Sequence, residues 1–255
     1  MTAHTAMIST LFDCADPTGS TPHAPATPEW PIGPEFAART LAEHAFVSFV
    51  DAPHFPCVGA KSALSRQRMR FGHYQSMGDE ESARSLCTDL EAFSAEFPRQ
   101  TTEPVSFVAL FAAERLDEMQ FEYRLWRHLQ RMHDADCQRF DWDASVSADP
   151  RDKSFSFSIG GRAFFVVGMH PGASRLARRT AVPCLVFNFH DQFERLKDQD
   201  KYARLQRAIR DRDIRLQGMP NPVLAHFGDA SEARQYSGRP VGTEWRCPFR
   251  LARRV

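Results

Sequence analysis

The 255-residue chain has no surplus of charge of either sign: 32 Lys and Arg stand against 32 Asp and Glu. Balanced charge excludes a strongly basic nucleic-acid binder and a polybasic membrane-surface protein. No apolar run approaches the roughly 20 residues of a bilayer-spanning helix. The opening MTAHTAMIST shows neither a basic n-region nor a long apolar h-region. The expectation is a cytoplasmic chain with no nucleic-acid or membrane partner. No two of the 6 cysteines form a CxxC pair, and their gaps are long and irregular, which excludes a zinc ribbon or an iron–sulfur cluster. They read as reduced, mostly buried thiols. Tyr and Trp are scarce at 4 each, whereas Phe reaches 21. Phe buries area without a polar tip, so the core, or a pocket in it, is rich in rings. At 42% hydrophobic and 25% charged, the composition is that of a globular protein long enough for a sizeable core.

Prolines 17, 22, 25, 28, 31 and 34 crowd one stretch. Each removes a backbone donor and fixes φ, so residues 1–35 read as a disordered, Pro-rich arm and the folded domain as 36–255. Strand-like runs follow at AFVSFV (45–50), PVSFVALFA (104–112), SFSFSI (154–159), RAFFVVG (162–168) and PCLVFNF (183–189). SFSFSI alternates with period two, and Gly160-Gly161 after it supplies both positive-φ positions of a tight hairpin. Helical patterns cover 79–97, 114–133 and 191–210, the last closing before Gly218. Hairpins mixed with helices imply an α+β single domain, with a largely antiparallel sheet and packed helices.

Four segments carry candidate chemistry. At the end of the hairpin's second strand stand His170, Pro171, Gly172 and Ser174, followed by Arg175, Arg178 and Arg179. A strand-end imidazole with nearby guanidinium forks suits a haem, nitrogen for iron and cations for propionates; the alternative is a turn with a solvated basic face. In the second segment, Asn188 and His190 share a strand face where a helix begins. Either both face a pocket with His170, or His190 and Asp191 cap the helix while Asn188 bonds backbone. In the third, helical phasing of about 100° per residue puts Met119, Phe121, Leu125, Trp126, Leu129 and Met132 on one face of 114–133. Glu118, Glu122 and His133 lie within that arc. A carboxylate there needs a cation, from Arg175–Arg179 or from a cationic substrate such as a guanidinium. The last is Ser231–Arg239 with Trp245–Phe249, read as a loop closing over a site or as a packed strap. Cys57, in FPCVGAK, reads as a small residue at a tight corner rather than a thiolate ligand.

FPCVGAKSA, the F-x-F-x-(I/V)-G-G hairpin, VVGMHPGASRLARR, LVFNFHDQFERL, IRDRDIRLQG and SEARQYSGR with WRCPF together resemble the YqcI/YcgG family, in order, from about residue 40 onward. Characterised members of that family are haem proteins that N-hydroxylate guanidino groups, in D-cycloserine and guanitoxin biosynthesis. The resemblance implies a haem b oxygenase of secondary metabolism. It would act on arginine or a related guanidine with dioxygen or peroxide and an electron donor. Carried onto this chain, His170 is the expected iron ligand. Ser174, Arg175, Arg178 and Arg179 are expected to hold the cofactor. His190 with Asn188 is expected on the catalytic side, or His190 as the alternative ligand. Glu122, then Glu118, is expected to bind the guanidinium. Two rivals share these motifs: a haem carrier or sensor without turnover, and a haem-free binding module.

Overall fold

The structure, a computed structural model, describes residues 34–198, 202–221 and 231–252. Helices α1 (Pro34–Asp51) and α2 (Val58–Ser65) precede β1 (Met69–Tyr74), and α3 (Glu80–Glu96) crosses over to β2 (Ser106–Phe111). Helix α4 (Glu118–Asp136) leads to the hairpin β3 (Phe157–Ile159) and β4 (Arg162–Met169). Then come β5 (Cys184–Phe189), α5 (His190–Asp198), α6 (Tyr202–Gln217) and the short α7 (Ala233–Tyr236). The strands form one sheet in the order β1-β2-β5-β4-β3. Among the described strands, β1 and β2 run parallel and the other neighbouring pairs antiparallel. This is the expected α+β domain with a mostly antiparallel sheet.

Both faces of the sheet are covered. Phe107, Ala109 and Phe111 of β2 meet Leu86, Leu90 and Phe93 of α3 and Phe121, Leu125 and Leu129 of α4 in the larger core. Val108 and Leu110, pointing the other way, pack with Phe46 and Val50 of α1 and Ala63 of α2. Burial on both faces is why PVSFVALFA is continuously apolar rather than alternating. SFSFSI alternates because Phe155 and Phe157 enter the larger core while its serines work as hydrogen-bond groups. Ser158 Oγ accepts from Asp143 N at 3.0 Å and Ser156 Oγ donates to Glu232 at 2.7 Å. Gly160 and Gly161 turn the hairpin at φ 60° and 71°, the two left-handed positions that tight turn requires.

Several expectations need correction. AFVSFV is not a strand but the second half of α1. Pro34 opens that helix, where a missing N–H costs nothing, and Phe46 and Val50, four residues apart, make its buried contact. The helix therefore begins two residues inside the proposed arm; residues 1–33 lie outside the described residues. Strand β1, MRFGHY, does not show in the sequence pattern, because arginine, glycine and histidine interrupt its apolar residues. The single helix 191–210 is two helices, α5 and α6, and α5 starts at His190 itself. Asp191 does not cap it but pairs with Arg162 and Arg195. Met119 is 62% exposed: it lies in the first turn of α4, where the capping box of Asp117 and Gln120 faces water.

Gly168 in β4 marks the tightest packing near the site. A Cβ there would stand 2.7 Å from Leu125 Cδ1 and from the Tyr236 carbonyl oxygen, and 2.8 Å from Phe121. Gly168→Ala should destabilise the fold by about 1–3 kcal/mol, the usual cost of overpacking. The denaturant midpoint should fall accordingly. Gly242→Ala, whose Cβ meets nothing within 4 Å, should leave it unchanged.

Candidate functional site

His170 continues β4 into a loop that α4, α6 and the 231–249 strap enclose. It is 1% exposed, and its ring lies on Phe121 with centroids 4.2 Å apart and planes at 14°. Its backbone N–H donates to the Arg178 carbonyl at 3.0 Å. Its Nδ1 is buried without a hydrogen-bond partner among the described residues. Burial holds its pKa below the ordinary histidine value, against a hydrogen bond to the Leu116 backbone that raises it. The imidazole is therefore neutral at neutral pH, the state in which a ring nitrogen can bind a metal. Gly172 permits the loop's close approach, since a Cβ there would lie 2.5 Å from the Leu116 carbonyl oxygen.

The residues after His170 are tied into the fold. Ser174 donates to Glu118 Oε1 from its backbone N–H at 3.0 Å and from its hydroxyl at 2.7 Å. Arg175 forms a buried ion pair with Asp213 of α6 and donates to the Met219 carbonyl. Arg178 donates to the carbonyls of Gly168 and Tyr236 at 3.0 and 3.1 Å, and burial pulls its pKa down to about 10. Arg179 is exposed and donates through Nε to the Ala173 carbonyl at 2.9 Å. Arg175 and Arg178 thus hold the loop against α6 and the strap, leaving Arg179 as the most accessible of the three.

Glu122 sits beside Phe121 on α4 and is buried. Its cation is Arg239, not an arginine of the 175–179 cluster. Arg239 donates from Nε and Nη2 at 2.9 and 2.8 Å. Trp245 Nε1 adds a third bond at 3.0 Å and Ser237 Oγ a fourth at 2.9 Å. Four donors match the roughly four lone-pair sites of a carboxylate. Burial pushes the Glu122 carboxyl up, but the bonds from Arg239, Trp245 and Ser237 outweigh it and hold the pKa below the usual range. The 231–249 segment is accordingly a strap, with Arg239 and Ser237 as residues that the phasing of α4 did not reveal. The density of charge and aromatic rings in 231–249 was their one signal.

His190 and Asn188 are elsewhere. β4 and β5 are antiparallel, Met169 opposite Cys184 and Phe164 opposite Phe189. His170 and His190 therefore leave opposite ends of the sheet, on the order of 20 Å apart along strands rising about 3.4 Å per residue. One pocket cannot hold both. Asn188 is engaged with Ser106 and the Phe165 carbonyl. His190 lies instead near Glu232, whose carboxylate accepts from Ser156 and Tyr236. Cys57 caps α2, its Sγ accepting from Ala60 N at 3.4 Å, as a tight-corner residue does.

One face of α4, the His170 loop and the strap thus come from the motif segments that run through most of the chain. The chain belongs to the YqcI/YcgG family. The family model matches residues 46–250, which takes in every element from the second half of α1 to the strap. No curated protein and no solved structure shows a significant match to this YqcI/YcgG chain. Among the described residues no helix is long and apolar enough to cross a membrane.

The Glu122–Arg239 pair gives a direct test of the strap. Arg239→Ala should destabilise the protein by about 3 kcal/mol, the lower end for breaking a buried pair, because a fifth of the Arg239 side chain stays in water. The Glu122 pKa is depressed in the fold, so the stabilisation is complete above the ordinary carboxylate pKa and is lost as pH falls through the depressed value. Denaturant midpoints measured across the acid range should fall more steeply in the parent than in Glu122→Gln.

Proposed function

We propose that this YqcI/YcgG chain is a cytoplasmic haem-dependent oxygenase that N-hydroxylates a guanidino group, of arginine or a related guanidine, in secondary metabolism. The oxidant is dioxygen or peroxide, with an electron donor where dioxygen is used. The observation that carries this reading is Glu122. It already binds a guanidinium, that of Arg239, by two parallel charge-assisted bonds, and it adjoins the residue stacked on His170.

The residues fit a haem in part. His170 offers a buried, neutral ring nitrogen without a partner among the described residues, and would be the group to hold the iron. Arg179, engaged through Nε alone among the described residues, is suited to a propionate; Arg175 and Arg178 are committed to Asp213 and to carbonyls. Haem b, when bound, would supply the activation of the oxidant. The chain's own residues do the rest. Glu122 exchanges the Arg239 guanidinium for that of the substrate, and the Trp245 and Ser237 donors keep the carboxylate ionised and aimed. Phe121 holds the His170 ring in place and excludes water. Glu118, fixed on Ser174, positions the loop rather than the substrate. A haem carrier or sensor is the rival reading, and it draws on the same fact that Arg239 fills Glu122.

Absorption spectra of the haem-loaded protein, with and without arginine, test both. The enzyme reading expects a histidine-ligated Soret band that shifts with arginine, and an N-hydroxylated product. His170→Ala should lose haem. Glu122→Gln should keep haem and weaken arginine binding by about 2–5 kcal/mol, the cost of truncating a buried charged pair. A Soret band indifferent to guanidines favours the carrier, and no Soret band at all overturns both.

A further inference from the structure

The opposite end of the sheet holds a second constellation of ionisable groups, which the His170 site does not use. His190 is 8% exposed at the start of α5. Its Nε2 lies 3.5 Å from Glu194 Oε1, one helical turn on, and its Nδ1 lies 3.9 Å from Glu232 Oε2. Glu194 keeps 48% of its side chain in water, whereas Glu232 keeps 6%. The imidazole thus stands between a wet carboxylate and a dry one. The other oxygen of Glu232 accepts from Ser156 Oγ at 2.7 Å and from the Tyr236 hydroxyl at 2.6 Å. That hydroxyl in turn accepts from the Phe157 N–H at 3.1 Å.

We propose that His190 and Glu232 form a proton-transfer pair carrying protons between water at Glu194 and the buried Glu232–Tyr236–Ser156 cluster. The imidazole takes a proton on Nε2 from the Glu194 side and releases the one on Nδ1 to Glu232 Oε2. The return reverses both transfers, so no charge accumulates on the ring. The 3.9 Å gap is wider than a hydrogen bond, so the transfer requires the ring to move toward Glu232. A histidine suits this task because its two nitrogens can hold and pass a proton in turn. A second property supports the pair. The groups facing Glu232 are His190 and Glu194 from α5, Tyr236 from α7 and Ser156 before β3. No Lys or Arg among the described residues forms an ion pair with it. Burial, with the Glu194 charge adding to it, raises the Glu232 pKa to about 8 although Tyr236 and Ser156 lower it. The neighbouring Asp191 is occupied by Arg162 and Arg195 and does not compete for the imidazole.

Infrared spectroscopy of the full-length protein tests the pair without reference to turnover. A protonated-carboxyl band should be present at pH 7, absent in Glu232→Gln, and lost as the pH rises past about 8. If Glu232→Gln does not fold, glutamate labelled with carbon-13 in its carboxyl group identifies the band in the parent. On transfer to deuterated water the band should shift promptly in the parent and more slowly in His190→Gln and Glu194→Gln. No protonated-carboxyl band at pH 7 overturns the proposal. So does exchange in His190→Gln as fast as in the parent. Unchanged exchange in Glu194→Gln removes the route's entry and overturns it as stated.

Discussion

A carboxylate drawn out of water must be met by donors or by a cation, and in this chain Glu122 imposes that requirement. Its helix phase fixes it on a face that α4 has to bury, so it cannot turn outward without lifting Phe121 and Leu125 from the sheet. The strap answers it with Arg239, Trp245 and Ser237. Holding Ser237 in place sets Tyr236, whose carbonyl receives Arg178 and whose hydroxyl reaches Glu232. Arg178 in turn accounts for Gly238, since a Cβ there would stand 2.8 Å from its Cδ. One desolvated charge thus dictates the course of a segment more than a hundred residues away in sequence.

Much of this was legible in residue order, for reasons that particular segments make plain. The hairpin could be read because a period-two run met two consecutive glycines, and only a left-handed turn uses such a pair so well. The buried phase of Glu122 followed from counting along α4, and the strap from the crowding of charge and rings in 231–249. What could not be read was partnership. Nothing in the spacing of Glu122 distinguishes Arg239 from Arg175, because pairing across 117 residues is decided by topology. AFVSFV misled because a short apolar run carries no period of its own, and its length does not separate strand from helix. β1 escaped because its neighbours, not its own side chains, make it a strand.

The antiparallel pairing of β4 and β5 has the largest consequence for the chemistry. Two histidines at strand ends look equivalent in sequence, yet opposite strand directions send them to opposite ends of the sheet. Any reaction at His170 must draw its other groups from α4, the 170–179 loop and the strap. The His190 cluster is separate, and Tyr236 links the two among the described residues, its carbonyl accepting from Arg178 and its hydroxyl donating to Glu232.

The strap lies after every strand in chain order. During synthesis from the N-terminus the sheet and α4 can assemble while Arg239 and Trp245 have yet to emerge, and domains do begin to fold as they are made. Until then Glu122 must keep its water, and the face of α4 that carries it stays loosely docked. The Glu122 site is therefore completed late in chain order, by the arrival of a few side chains on a scaffold already in place.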